Sequence, residues 1–327
     1  MKTNRAASAR LDFLFGVLSL AVLIFANGCS IDAGSGPPAD SVQHVYVTLS
    51  SSIMVFPLTA SGNVPPATII SGANTGLSDA HRLALDASGN MYVTNHLNNS
   101  VTVYAAGASG DATPTTTISG GNTGLNQPSG IALDVHNNIY VSNENGNSVT
   151  VYAAGASGDA TPTATISGAN TLLNDPNGLA LDAQGNIYIA NEISDSVTVY
   201  AAGATGNATP IATITGAAGI NLHALALDTA RNIYVTDTAN LYAVTVYAAG
   251  ANGNATPAAT ITGAATGLDN PNGIALDADG NIYVGNANAG TLTIYAADSD
   301  GNIAPTATIS GPNTGLSTGA IHGVTVN

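Results

Sequence analysis

Hydrophobic and polar positions along this chain alternate with a period of two from about residue 43 onward, in short runs such as Asn138-Ile139-Tyr140-Val141. Apolar residues at helical spacing do not recur there, so the pattern predicts an all-β protein. One sentence of sequence is repeated with small edits. Tyr46, Tyr92, Tyr140, Tyr188, Tyr234 and Tyr283 each follow an apolar residue and precede Val or Ile, at spacings of 46, 48, 48, 46 and 49. Six units result, each reading as four strands. In the third unit these are 130–134, 138–141, 149–152 and 163–166, and four short strands per unit predict a propeller blade.

The ends of the repeat decide between a solenoid and a ring. The first unit begins at its second strand, His44-Val45-Tyr46-Val47, and the missing first strand stands at the other end as Gly323-Val324-Thr325-Val326-Asn327. A ring requires such a shared blade, because the last strand must pair beside the first unit to remove the open edges. The expected fold is therefore a six-bladed β-propeller of four-stranded antiparallel blades over residues 43–327, closed by the C-terminal strand. Pro66, Pro114, Pro162, Pro210, Pro257 and Pro305 precede the outermost strand of each unit and blunt its edge. Asp86, Asp134, Asp182, Asp228 and Asp277 begin the first hairpin of their units and read as turn formers.

Residues 1–28 read as an address. Three positive charges precede the apolar run Phe13 to Ala26, which is shorter than the ~20 residues a membrane span needs. Asn27-Gly28-Cys29 resembles a bacterial lipobox, although Ala26 stands where Leu is usual. The resemblance implies lipid attachment at Cys29, followed by a Gly/Pro/Ser-rich tether over 29–42. It implies an exported, membrane-anchored chain at the cell envelope, in the outer membrane if the host is Gram-negative. A cleaved secretory peptide with an incidental cysteine is the other reading.

Charge narrows the function classes. Of twenty acidic residues only Asp12 falls before residue 28, whereas of five basic residues only Arg82 and Arg231 fall after it. A body carrying nineteen carboxylates against two guanidiniums repels polyanions, which excludes nucleic acid as a partner. With one cysteine in 327 residues, no disulfide staples the fold.

The segment Gly273-Ile274-Ala275-Leu276-Asp277-Ala278-Asp279-Gly280-Asn281-Ile282-Tyr283-Val284 resembles the NHL repeat, and the likeness extends over all six units. NHL repeats form six-bladed propellers in extracellular and periplasmic proteins, in metal-dependent lyases and in binding modules, so the resemblance implies a fold and leaves the function open. More distantly, the chain resembles streptogramin lyase and gluconolactonase-type propellers. Two departures stand out. Asn95, Asn143, Asn191 and Asn286 occupy a position where the family has Asp, with Asp237 alone conforming, and Ser100, Ser148, Ser196 and Thr291 replace the family's Arg.

Differences between units mark candidate chemistry. Two residues before the leading apolar residue of each first strand stand His81, Ser129, Asn177, His223, Asn272 and His322, which the ring brings to one channel mouth. Three imidazoles there suggest a Zn²⁺ or similar site made of His81, His223 and His322; the same histidines also serve as structural residues bonding backbone at the strand start. Around them Ser129, Asn177 and Asn272 are candidate ligand contacts, as is Arg82, through an anionic group or else in a salt bridge with Asp79. Glu144 and Glu192 are candidate ligand contacts as well, and with a metal present Glu144, Glu192 or Asp195 could supply a general base. Gly315-Leu316-Ser317-Thr318-Gly319 spells a nucleophile-elbow string without the strand and helix that motif needs.

The first expectation for function is a monomeric binding or scaffold lipoprotein, with no catalytic residues and no cofactor, contacting an envelope protein, glycan or small ligand. The second is a metal-dependent lyase or hydrolase with a histidine-lined channel site, and the third a purely structural surface protein.

Overall fold

The computed structural model describes residues 43–216, 221–239 and 241–327; the segments expected to be a signal peptide and a tether, with Cys29, lie outside the described residues. Twenty-four strands form six four-stranded antiparallel sheets, each in sequence order from the axis outward except the first. Blade I comprises Ile321–Val326, His44–Leu49, Ser52–Pro57 and Thr68–Ser71, in that order. Blades II to VI follow the repeat, with innermost strands Ala80–Leu85, Pro128–Leu133, Pro176–Leu181, Leu222–Leu227 and Pro271–Leu276. The fold is thus an all-β six-bladed propeller, as the repeat count and the displaced strand predict.

Closure is double. Ile321–Val326 pairs antiparallel with His44–Leu49, Val45 opposite Val326 and Val47 opposite Val324. At the rim, the third residue of each outermost strand forms a parallel bridge to a loop glycine of the next blade. Ile70 with Gly110 and Ile118 with Gly158 are examples, and Ile309 with Gly62 carries the same bridge across the junction of last blade and first. Gly110 donates to Ile69 O at 2.7 Å and accepts from Ser71 N at 2.9 Å. The edge strand expected to be protected by proline is therefore also capped by its neighbour.

The repeat tyrosines and asparagines fasten the blades internally. Tyr104, Tyr152, Tyr200 and Tyr295 are fully buried and donate their hydroxyls to Thr75, Thr123, Thr171 and Thr266 carbonyls at 2.6–2.7 Å. Asn95 explains the departure from the family's Asp. Its Oδ1 accepts from Ser78 N at 3.2 Å while its Nδ2 donates to Thr102 Oγ1 at 3.0 Å, and a carboxylate cannot donate. Asn143, Asn191 and Asn286 repeat both bonds. Each turn aspartate accepts backbone and side-chain donors of its own hairpin, as Asp86 Oδ1 does from Ser88 N and Asn90 N, both at 2.9 Å.

Layers around the axis follow from the inner strands. The second residue of each forms the polar ring His81, Ser129, Asn177, His223, Asn272 and His322. The third is Gly in four blades, at Gly130, Gly178, Gly273 and Gly323, with Ala224 and Arg82 completing the ring. The fourth supplies aliphatic walls, Leu83, Ile131, Leu179, Leu225, Ile274 and Val324, to a cavity on the face of the aspartate hairpins. Glycine is required because neighbouring strands crowd this layer. A Cβ on Gly323 would stand 2.5 Å from His81 O and 2.6 Å from Thr48 Oγ1. Gly323→Ala is accordingly expected to destabilise the protein by roughly 1–3 kcal/mol in urea unfolding. Gly121→Ala, whose Cβ meets nothing within 4 Å, should be close to neutral.

Candidate functional site

The polar ring opens on the face where the loops from each second to third strand meet the loops entering each first strand. His81 follows Asp79, which is held at φ +54° on the entry loop of blade II, and His96 stands just after the second strand Met91–Asn95. Backbone pairing fixes the two loops together, His96 N donating to Asp79 O at 3.0 Å. The carbonyl of His81 accepts from Thr48 Oγ1 at 2.6 Å, which anchors it to blade I.

Five of these side chains form one cluster. His81 is stacked between His96 and His322, with ring centroids 4.3 Å and 4.6 Å away and interplanar angles of 1° and 12°. Asp79 stands against all three rings, at 3.5 Å from His81 Nε2, 3.6 Å from His96 Nδ1 and 3.2 Å from His322 Nε2. Glu144 reaches His96 Nε2 at 2.9 Å and His81 Nδ1 at 3.7 Å from blade III. Two donor sets able to hold a metal ion result, Asp79 with His81 and His322, and His81 with His96 and Glu144. His96 Nδ1 and Glu144 Oε1 are buried without a hydrogen-bond partner. Their nearest charged partners stand beyond hydrogen-bond distance, Asp79 at 3.6 Å from His96 Nδ1 and His81 Nδ1 at 3.7 Å from Glu144 Oε1.

The other half of the mouth is organised by Arg82. Its buried guanidinium donates to the His322 carbonyl, to Asn177 Oδ1 at 3.1 Å and to His223 Nδ1 at 2.9 Å, crossing the axis from blade II to blades I, IV and V. Asn177 Oδ1 also accepts from Ser129 Oγ at 2.7 Å, and its Nδ2 donates to Glu192 Oε2 at 3.2 Å. Ser129 Oγ in turn contacts His81 Nδ1 at 3.2 Å, so a continuous polar chain links the histidine stack to Glu192.

Several expectations change accordingly. His81, His223 and His322 do not form one triad: His223 Nδ1 accepts from the Arg82 guanidinium at 2.9 Å, with the Asn272 carbonyl 3.1 Å from the same nitrogen, and His223 belongs to neither donor set. Arg82 makes no ion pair with Asp79 among the described residues, and its contacts make it an axial strut. Asn272 turns to the backbone, its Nδ2 donating to Ile321 O at 3.2 Å. Asp195 caps the entry to blade V, accepting from Asn221 N at 2.9 Å. Sequence reading missed His96 and left Asp79 outside the metal set. The signal was there, since His96 occupies the same repeat register as Glu144 and Glu192, 48 residues apart.

Burial and charge set the protonation states. Burial holds His81 below the ordinary imidazole range, and burial together with the nearby His81 lowers His322 to about 4. The hydrogen bond that His96 donates to Glu144 raises His96. Contact with His81 holds the Asp79 carboxyl far below the usual range, against the opposing effect of burial. Burial is the largest influence on Glu144 and would raise it, but the bond from His96 and the charges of His81 and His96 together leave the group lowered. Glu192, by contrast, is raised by burial.

Folded-state stability is therefore expected to peak near pH 6.5. Below that, the unfolded chain binds protons that His81, His223 and His322 refuse, so stability falls as pH drops from 6.5 toward about 4. Above it, the extra proton held by His96 is lost as pH rises through its raised pKa, and that contribution fades. Urea midpoints across pH 4.5 to 8.5 check this. His322→Gln should flatten the acid limb, and an unchanged limb would contradict the assignment.

Comparison with known proteins places this geometry. No curated protein matches the sequence. Among solved structures, the nidogen/laminin complex matches with a TM-score of 0.63 at 17% identity, covering 87% of this chain and 98% of that one. A putative 6-phosphogluconolactonase of Bacteroides fragilis matches at 0.58 and 13%, covering 89% and 100%. A catalytically inactive histidine-to-alanine variant of the virginiamycin B lyase of Staphylococcus aureus, with quinupristin, matches at 0.53 and 12%, covering 79% and 83%. At these identities the likeness concerns the fold. The sequence model described as a seven-bladed lactonase β-propeller matches residues 52–219, just over half of the chain. This chain accordingly belongs to the lactonase β-propeller family, with six blades in place of the seven in the family's description.

Proposed function

We propose that the protein is a metal-dependent hydrolase that opens a cyclic ester at the channel mouth, exported and held at the cell envelope through Cys29. The observation that carries the catalytic reading is the convergence of three imidazoles and two carboxylates on one mouth, with His96 Nδ1 and Glu144 Oε1 buried and unpaired among them. A purely structural ring has no use for such a cluster, whereas a divalent cation takes this donor set of imidazole nitrogen and carboxylate oxygen.

Asp79, His81 and His322 would hold the cation, and the mainly neutral state of His81 and His322 near pH 7 leaves nitrogen lone pairs for it. When bound, such a cation acts as a Lewis acid toward an ester carbonyl or a water molecule. Glu192 is the group best placed to move a proton. It belongs to neither donor set, Asn177 orients it, and burial raises its carboxyl toward the range a general base uses. Arg82 fixes Asn177 and the backbone of His322, and so sets the spacing of the two halves of the site.

The family and the lyase and lactonase neighbours support ring-opening chemistry, and the NHL-like wording of the repeats supports a place outside the cytoplasm. A binding role at the same mouth, without turnover, is favoured by Leu97 and Ile193, 69% and 67% exposed on the surrounding loops.

Turnover decides between the two. The mature chain supplied with Zn²⁺, Mn²⁺ or Mg²⁺ should hydrolyse members of a panel of γ- and δ-lactones in a pH-stat assay, and Glu192→Gln should lower kcat by about 10²-fold or more. Absence of turnover across metals and lactones would leave the binding module. Separately, Cys29→Ser should abolish incorporation of labelled fatty acid and release the protein from the membrane fraction; a variant that stays membrane-bound would sink the anchor.

A further inference from the structure

The stacked pair His81 and His96 presents ring nitrogens at two opposite edges. At one edge, His81 Nε2 and His96 Nδ1 face Asp79 Oδ2 at 3.5 and 3.6 Å, with His322 Nε2 at 3.2 Å from the other carboxylate oxygen. At the opposite edge, His81 Nδ1 and His96 Nε2 face Glu144 at 3.7 and 2.9 Å, with Ser129 Oγ at 3.2 Å from His81 Nδ1. The two carboxylates thus flank the stack at two edges. Each edge also holds one of the two orphaned buried atoms, His96 Nδ1 beside Asp79 and Glu144 Oε1 at the other.

We propose that the mouth holds two divalent cations, one at each edge of the stack, the second on Glu144, His96 Nε2 and His81 Nδ1. His81 is the shared ligand, offering Nε2 to the first position and Nδ1 to the second. In each set the ligand atoms already lie within 4.8 Å of one another. Coordination at about 2.0–2.1 Å to nitrogen draws them closer, and the imidazoles reach it by tilting out of the stack. Charge permits double occupancy, because among the described residues Asp79, Glu144, Asp175 and Glu192 stand near the mouth with Arg82. Imidazole-rich donors suit Zn²⁺, Co²⁺ or Ni²⁺ better than Mg²⁺. A histidine bound through both nitrogens must lose its remaining N–H proton, so the second cation displaces that proton from His81 to solvent, and the Nε2 proton that His96 donates to Glu144 is likewise released or moves to Nδ1.

The first position rests on the proposed function and the second goes beyond it, so stoichiometry separates them. Chelator-stripped full-length protein dialysed against Zn²⁺ should bind two equivalents. Glu144→Gln and Asp79→Asn should each retain one, and His81→Gln should lose affinity for both, with far-ultraviolet circular dichroism confirming the fold. Calorimetry of wild-type protein in buffers of different ionisation enthalpy should show a proton released with the second equivalent, which needs no variant. One equivalent in the wild type, removed by Asp79→Asn and not by Glu144→Gln, would overturn the second site and leave the proposed function intact. Two equivalents that Glu144→Gln leaves unchanged would also overturn it. Protein that binds no metal under any loading would remove both.

Discussion

The antiparallel pairing of Ile321–Val326 with His44–Leu49 is the constraint on which the rest depends. It joins ends of the chain nearly three hundred residues apart. It also does more than shut the ring, because the second residue of that strand is His322. Register alone puts His322 against Asp79 and beside His81, and puts its carbonyl where the guanidinium of Arg82 reaches it. A slip of one residue would turn each side chain to the opposite face of the blade and take His322 out of the cluster. Ring closure and site assembly are therefore one event, and the rim bridges from Ile309 to Gly62 and its five equivalents hold the register from outside.

The inner ring shows how a repeat makes room for chemistry. Glycine at four of six positions lets neighbouring strands approach until a Cβ would collide with backbone, as at Gly130, where it would meet Asn177 O at 2.4 Å. That crowding keeps the six polar second residues close to the axis. One departure from the rule, Arg82, then crosses the axis. Its neutral acceptors are a backbone carbonyl, an amide oxygen and an imidazole nitrogen, and burial lowers its pKa to about 10 while Glu144 and Glu192 oppose the fall. A guanidinium so engaged orders the site from beneath and does not reach out to grip an anion.

What the sequence made legible was whatever is local or periodic. Strand positions, the blade count, the displaced strand and the turn aspartates all follow from alternation and from hairpin chemistry that neighbours in sequence determine. Membership of the mouth was legible too, because a column of the repeat maps to a ring of the fold. Two things were not. Which members of a ring touch depends on side chains crossing the axis, and Arg82 captures His223 on the far side, away from the stack. A column is also read only where it looks unusual: Glu144 and Glu192 drew notice as carboxylates while His96, in the same register, stood unread. The exchange of Asn for Asp at Asn95 stood out in the sequence, but its use is seen only in the structure, where Nδ2 donates to Thr102 Oγ1.

Asymmetry is the last consequence. A sixfold ring of near-identical blades would place six equivalent groups at the mouth and could only make a symmetric, weakly selective opening. Here blades I, II and III supply the imidazoles with Asp79 and Glu144, while blades IV and V supply Asn177, Glu192 and His223, and blade VI offers Asn272 to backbone. The strut from Arg82 separates these halves, and Ser129 with Asn177 reconnects them through hydrogen bonds. One half then has donors for a cation and the other a carboxyl raised by burial, and opposing pKa perturbations of this kind are what acid–base chemistry at one site requires. Divergence at a few columns of the repeat, against a framework whose tyrosines, asparagines and glycines do not vary in role, is enough to turn a symmetric scaffold into a directional site.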